Sequence, residues 1–255
     1  MLSMAHQKSS RDKERERGRT PQVTAEQDTP NNPAAPYDPL DLRTLAESMV
    51  KVVLEKLVYP LGSLEPFEGS GIYVIYYTGD FKPYVTITDK NRNQKWESPI
   101  YVGEATRKGG RKGGVLAEGA PGRAIFERLG NHADSIRSVA ALKIEDFWCR
   151  YLVTKDFFIP LCESLLIDRY NPIWNKLVDG FGNKDVGVSR RATQQKSMWD
   201  VLHPGRPIAA GAPNKRYPNA ESVTQLIDNF FAKKPVPLIS TDEAIEAAED
   251  AGKSE

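Results

Sequence analysis

The chain is poor in the residues that build metal and redox centres. Cysteine occurs only at Cys149 and Cys162, and histidine only at His6, His132 and His203. The two cysteines fall on a predicted strand and a predicted helix, which suits neither a disulfide framework nor zinc-ligand spacing, so two buried, reduced thiols are expected. Three scattered histidines exclude a histidine-rich metal site. No apolar run approaches the roughly 20 residues that span a bilayer, so no membrane span is expected. The first 20 residues carry charges throughout without an apolar core, so no signal peptide is read and a cytoplasmic location is the expectation.

What is present is ordinary for a globular protein: 40% hydrophobic and 27% charged residues over 255 positions, enough for one sizeable domain with appendages. The net charge of +1 conceals an asymmetry. Residues 1–35 carry six basic and five acidic side chains, and residues 240–255 carry one lysine against six acids. The part between is therefore +1 − 1 + 5 = +5. Much of its basic charge sits in two glycine- or proline-rich stretches, with five basic and two acidic groups at 104–123 and seven and two at 184–216. A polyanion partner follows, with a solvated basic loop as the blander reading. Residues 1–37 lack a hydrophobic period and read as a disordered charged arm. The body is expected at 38–235, followed by an acidic tail at 236–255.

Leu42, Leu45, Met49, Val52, Val53 and Leu57 recur at helical spacing and predict an amphipathic helix over 41–57. The β-branched and aromatic runs 71–77, 99–103 and 145–153 predict three core strands, and Tyr84 to Thr88 a further strand or half of a hairpin. Helices are predicted around Ile125 to His132, over 158–170 up to Asn171-Pro172, and near 221–233. The whole reads as an α/β (α+β) fold: a small, mixed or antiparallel three-stranded sheet flanked by helices, with an N-terminal helix and a C-terminal extension.

Several polar residues stand out. Tyr73 and Tyr101 each lie in a strand, where tyrosine packs well regardless of function, yet adjacent strands ~4.8 Å apart can bring the two hydroxyls together. Arg128 and His132 share one helix face if the helix continues through Gly130. Glu163 has Ile159, Leu166, Ile167 and Tyr170 as its helical neighbours, so its carboxylate emerges from an apolar face and must be paired, protonated or metal-bound. An ion pair to Arg128, Arg150 or Arg169 is the structural alternative. Asn175 follows a proline turn, a common place for asparagine. The run from Gly109 to Gly114 lacks the Gly-Lys-Ser/Thr ending of a nucleotide P-loop and fits a phosphate-contacting loop through Arg107, Lys108, Arg111 and Lys112.

In order, Gly71-Ile72-Tyr73, Tyr101-Val102-Gly103, Arg128, Glu163 and Asn175 resemble the GIY-YIG nuclease superfamily. The segments Arg128-Leu129-Gly130-Asn131-His132, Glu163 to Ile167 with Tyr170 to Asn175, and Ser197 to Arg206 are similar to one branch, the type II restriction endonucleases that cut the palindrome CCGCGG. The resemblance implies Mg²⁺-dependent hydrolysis of double-stranded DNA. In it Tyr73 takes a proton from the attacking water, Tyr101 hydrogen-bonds the water or the scissile phosphate, and Arg128 neutralises transition-state charge. His132 orients or tunes Tyr73, Glu163 is the protein ligand to Mg²⁺, and Asn175 holds the geometry. A palindromic site implies a homodimer. Base readout is assigned to the 176–216 connection through Arg190, Arg191, Gln194, Gln195 and Arg206, because bidentate arginine suits guanine in the major groove; phosphate contact is the alternative. The arm and tail inherit nothing from the resemblance. A homing- or repair-type nuclease on the same core, or a catalytically silent DNA-binding protein, is the competing reading.

Overall fold

The computed structural model describes residues 41–107, 122–183 and 195–239. The expectations for the arm, for Lys108, Arg111, Lys112, Arg190, Arg191 and Gln194, and for most of the acidic tail lie outside these residues. Among the described residues are seven α-helices and a four-stranded antiparallel sheet of order β1-β4-β2-β3. The strands are β1 (Tyr59–Pro60), β2 (Gly71–Tyr77), β3 (Tyr101–Ala105) and β4 (Phe147–Val153). The expected sheet had three strands. The fourth is the two-residue edge strand β1, which pairs Tyr59 with Cys149 and Pro60 with Trp148; proline is tolerated there because an edge strand can spare its donor.

Strand β2 is an inner strand of the sheet, and all seven of its residues are buried. Alternation divides them between two cores. Tyr73, Ile75 and Tyr77 join one core with Ile125, Leu129, Ala133 and Ile136 of helix α3 (Ala124–Arg137). Ile72, Val74 and Tyr76 join the other with Val50 and Val53 of α1 (Leu42–Glu55) and Ile159, Cys162 and Leu166 of α4 (Ile159–Tyr170). Helix α1 thus turns Ala46, Val50 and Val53 into the fold, while Val52 is left partly outside. Asp41 caps it by accepting from the Thr44 backbone N–H. Both cysteines are buried thiols, and burial pushes each up to about 12.

Between β2 and β3 the chain is helical, not extended. A 3₁₀ turn, Lys82–Tyr84, runs into α2 (Val85–Asn91). The β-branched Val85-Thr86-Ile87-Thr88 run suggests a strand, but Pro83 sits in the first turn of the 3₁₀ helix and buried Ile87, Thr88 and Asn91 fall at helical spacing. Thr88 donates to the Gly79 carbonyl, and the Asn91 amide to Tyr77 and Ser98. Tertiary partners override propensity here. Tyr84 itself is buried, accepting from Trp174 Nε1 at 2.9 Å and lying 2.8 Å from Nε2 of His203, whose imidazole burial holds down to about 3.

After α4 come the short helices α5 (Ile173–Lys176) and α6 (Met198–Leu202), then α7 (Ala220–Phe231). Helix α6 interrupts a segment that reads as irregular. Its cap is local: Ser197 Oγ accepts from the Asp200 backbone N–H and donates to Asp200 Oδ2. No described helix is long and apolar enough to cross a membrane.

Candidate active site

The site forms where the free edge of β3 meets α3 on one face of the sheet and α4 on the other. Register pairs Tyr73 with Gly103, so Tyr101, two residues from Gly103, projects on the same face diagonally across the strands. The two rings lie 6.3 Å apart. Gly103 makes this possible: a Cβ there would overlap the Tyr73 hydroxyl and approach Tyr101 Cε1 to 2.9 Å. The glycine of the second tripeptide is the floor on which the tyrosine of the first rests.

Helix α3 runs unbroken through Gly130, so Arg128 and His132 do share a face. Tyr73 is wholly buried, with its hydroxyl 2.7 Å from His132 Nε2. Arg128 donates toward both phenols and gives Nη2 to the Gly182 carbonyl at 3.0 Å. Burial raises the Tyr73 hydroxyl well above the ordinary phenol value, and the neighbouring Tyr101 adds to this while Arg128 opposes it. Tyr101 is raised for the same first reason. His132 moves the other way: burial, then the cations of Arg128 and Arg206, hold its pKa well below the usual 6.5. The resting pair at neutral pH is therefore a protonated tyrosine beside a neutral imidazole. An arginine only donates, so Tyr73 Oη accepts from Arg128 and its own proton is available to an unprotonated Nε2.

The outward-facing backbone of β3 is occupied by side chains. The Asn175 amide pairs with Val102 as a strand would, Oδ1 accepting from its N–H and Nδ2 donating to its carbonyl, both at 2.8 Å. One step along, the Glu163 carboxylate of α4 accepts from the Glu104 backbone N–H. An edge that could recruit another strand is thereby closed, and β3 is locked to both residues. Glu163 is half-buried. Desolvation, then the Glu104 carboxylate, push it up to about 8, against the pull of Arg128. Glu104 was missed by sequence reasoning. Its only signal was its place one residue after Gly103.

Three of the nominated DNA contacts fall among the described residues, and they differ. Gln195 is exposed. Arg107 is half-buried and reaches Asp156 Oδ2 at 3.7 Å. Arg206 requires a correction. It is only 3% exposed and bound to Asp200 through Nε at 2.8 Å and Nη2 at 2.9 Å, with Trp199 under its guanidinium, so it is an interior strut rather than a base reader. Its basic charge was legible; the buried carboxylate that takes it was not.

This assembly can be set beside known families. The model of the Eco29kI GIY-YIG domain, a restriction endonuclease family, matches residues 65–231, more than half of the chain. The chain belongs to this family. The Eco29kI-type match spans all four positions of the two-tyrosine, arginine and histidine cluster as well as Glu163 and Asn175. It also extends past Arg206 into α7, so the strut and its partners are part of the domain. No curated protein gives a match to the chain.

Proposed function

We propose that this protein is a type II restriction endonuclease that hydrolyses phosphodiester bonds in double-stranded DNA at a palindromic GC-rich site, CCGCGG, with Mg²⁺ as cofactor and as a homodimer. The observation that carries the reading is the convergence of Tyr73, Tyr101, Arg128 and His132 on one point, with Glu163 on the same strand edge.

The attacking water gives its proton to Tyr73 Oη as the Tyr73 proton passes to His132 Nε2, so no free phenolate is needed. The new P–O bond forms as the bond to the 3′-oxygen breaks. Arg128, already turned toward both phenols, offsets the charge on the phosphate oxygens. Tyr101 orients the water or the phosphate.

The residues fit a hard divalent cation. Two carboxylates, Glu163 and Glu104, stand close enough to oppose each other's ionisation, and no group of three or more His, Cys, Asp or Glu among the described residues forms a cage. A sparse oxygen site of this kind suits magnesium, which keeps several of its waters. Glu163 would hold the ion, which when bound polarises the phosphate and stabilises the leaving oxygen.

With Arg206 internal, base readout falls to Arg190, Arg191, Gln194 and Gln195, or to the glycine-basic loop. Supercoiled and linear substrates carrying CCGCGG should be cut in Mg²⁺ and spared in EDTA, with a dimer on cognate duplex by sedimentation. Absence of cutting on every duplex tested with Mg²⁺ would overturn the reading, and a monomer on cognate DNA would overturn the dimer. Gly103→Ala should lower single-turnover cleavage by about 10²-fold, since a misplacement of about 1 Å carries that cost, while Kd for cognate duplex in Ca²⁺ stays near wild type.

A further inference from the structure

Arg206 uses its whole guanidinium. Besides the two bonds to Asp200, Nη1 donates to the Phe181 carbonyl at 3.0 Å and Nη2 to the Gly180 carbonyl at 2.7 Å. Gly180, at φ +95, fits only without a side chain, because a Cβ would overlap Ser197, the cap of α6. The turn at 180–182 is thus tied from behind to α6 and Arg206.

Its front surface is the wall of the active site. The Phe181 ring stacks on His132 at 4.5 Å and 13°, and meets Tyr101 edge-on at 5.1 Å. The Gly182 carbonyl takes the Arg128 bond, and a Cβ at Gly182 would lie 3.0 Å from the Tyr101 hydroxyl and 3.2 Å from Arg128 Nη2. Three catalytic candidates therefore lean on Phe181 and Gly182, and Arg206 holds Gly180 and Phe181 by their carbonyls.

We propose that Arg206, aimed by Asp200, is a positioning residue that clamps the 180–182 turn and so sets Arg128, His132 and Tyr101 in their reactive arrangement. A planar fork is required, since only guanidinium can grip a carboxylate in two places and two carbonyls at once. The inference rests on the nuclease reading for its catalytic consequence, but not for its geometry.

The test uses the full chain with Arg206→Lys, which keeps the charge and loses the fork. Imidazole NMR of the DNA-free protein follows His132, which is faced by Tyr73, Tyr101, Arg128 and Arg206. In the variant its titration should move up toward the ordinary histidine range as the Phe181 cover loosens. Single-turnover cleavage should fall by about 10²-fold with Kd for cognate duplex unchanged, at a temperature where both proteins are fully folded. A variant that is merely less heat-stable, with the His132 titration and the rate of wild type, would overturn the proposal. If Arg206→Lys does not fold, Asp200→Asn decides: it keeps Arg206 and the two carbonyl acceptors but removes the charge that aims the guanidinium. A similar loss of rate with Kd held supports the clamp, and a wild-type rate sinks it. Failure of the wild-type protein to cut any duplex would sink the nuclease reading alone, because the His132 titration would still report on the clamp.

Discussion

Glu163→Gln should reduce single-turnover cleavage by about 10³-fold or more, the equivalent of the several kcal/mol that metal-assisted charge stabilisation supplies, while binding of cognate duplex in Ca²⁺-free buffer is kept. The amide preserves shape and still accepts from the Glu104 N–H, but it is a poor ligand to a hard cation. The same substitution should make the metal-free protein more stable at neutral pH. Glu163 has its folded-state pKa raised from 4.5 to about 8, so the folded protein retains a proton that the unfolded chain gives up. Stability is then fully present below about 4.5 and is lost as pH rises through about 8. The loss is on the order of 2–4 kcal/mol. Urea titrations across that window should show a falling midpoint for the wild type and a flatter one for Glu163→Gln, with Mg²⁺ restoring the wild type at high pH. A variant that cuts at near wild-type rate would remove Glu163 from the metal site. Parallel pH profiles would show that its environment does not resist ionisation.

Tyr73→Phe should cost about 10²–10⁴-fold in the cleavage step, the range of general base contributions, again with affinity for DNA intact. The ring stays, so packing under Gly103 is preserved, but His132 Nε2 loses its 2.7 Å partner. The wild-type pH profile should carry the mark of the same pair. In the proposed relay neutral imidazole is the active form, and its pKa is held well below 6.5, so the His132-dependent loss of rate should set in only as pH falls well below that value. An acid limb centred near 6.5 and traced to His132, or a Phe variant as fast as wild type, would refute the relay.

Much of the fold is legible in the sequence because its signals are local. The runs at 71–77 and 145–153 announce core strands by composition alone, and the 3.6-residue spacing of α1, α3 and α4 survives even Gly130. The order of Tyr73, Tyr101, Arg128, His132, Glu163 and Asn175 along the chain is enough to suggest the family. Local signals also mislead. The Val-Thr-Ile-Thr run carries strand propensity, yet Thr88 and Asn91 find carbonyls that only a helix can reach. The β1 edge strand has too few residues to carry any pattern.

Which groups meet is decided by distance through space, which sequence spacing does not encode. Arg206 reads as a DNA contact because arginines in basic loops are usually solvated; the buried Asp200 and two facing carbonyls turn it inward. Phe181 and Gly182 carry no motif of their own, yet they form the wall behind His132 and Arg128. Glu104 becomes chemically relevant only because β3 is an edge whose outward backbone receives Glu163 from another layer. The amino-acid sequence by itself determined the strands, the helices and the residue types of the site, since these follow from periodicity and side-chain chemistry. Only the tertiary structure decided which charges are buried, which protons are held and which groups meet, because desolvation and hydrogen bonding depend on neighbours tens of residues away.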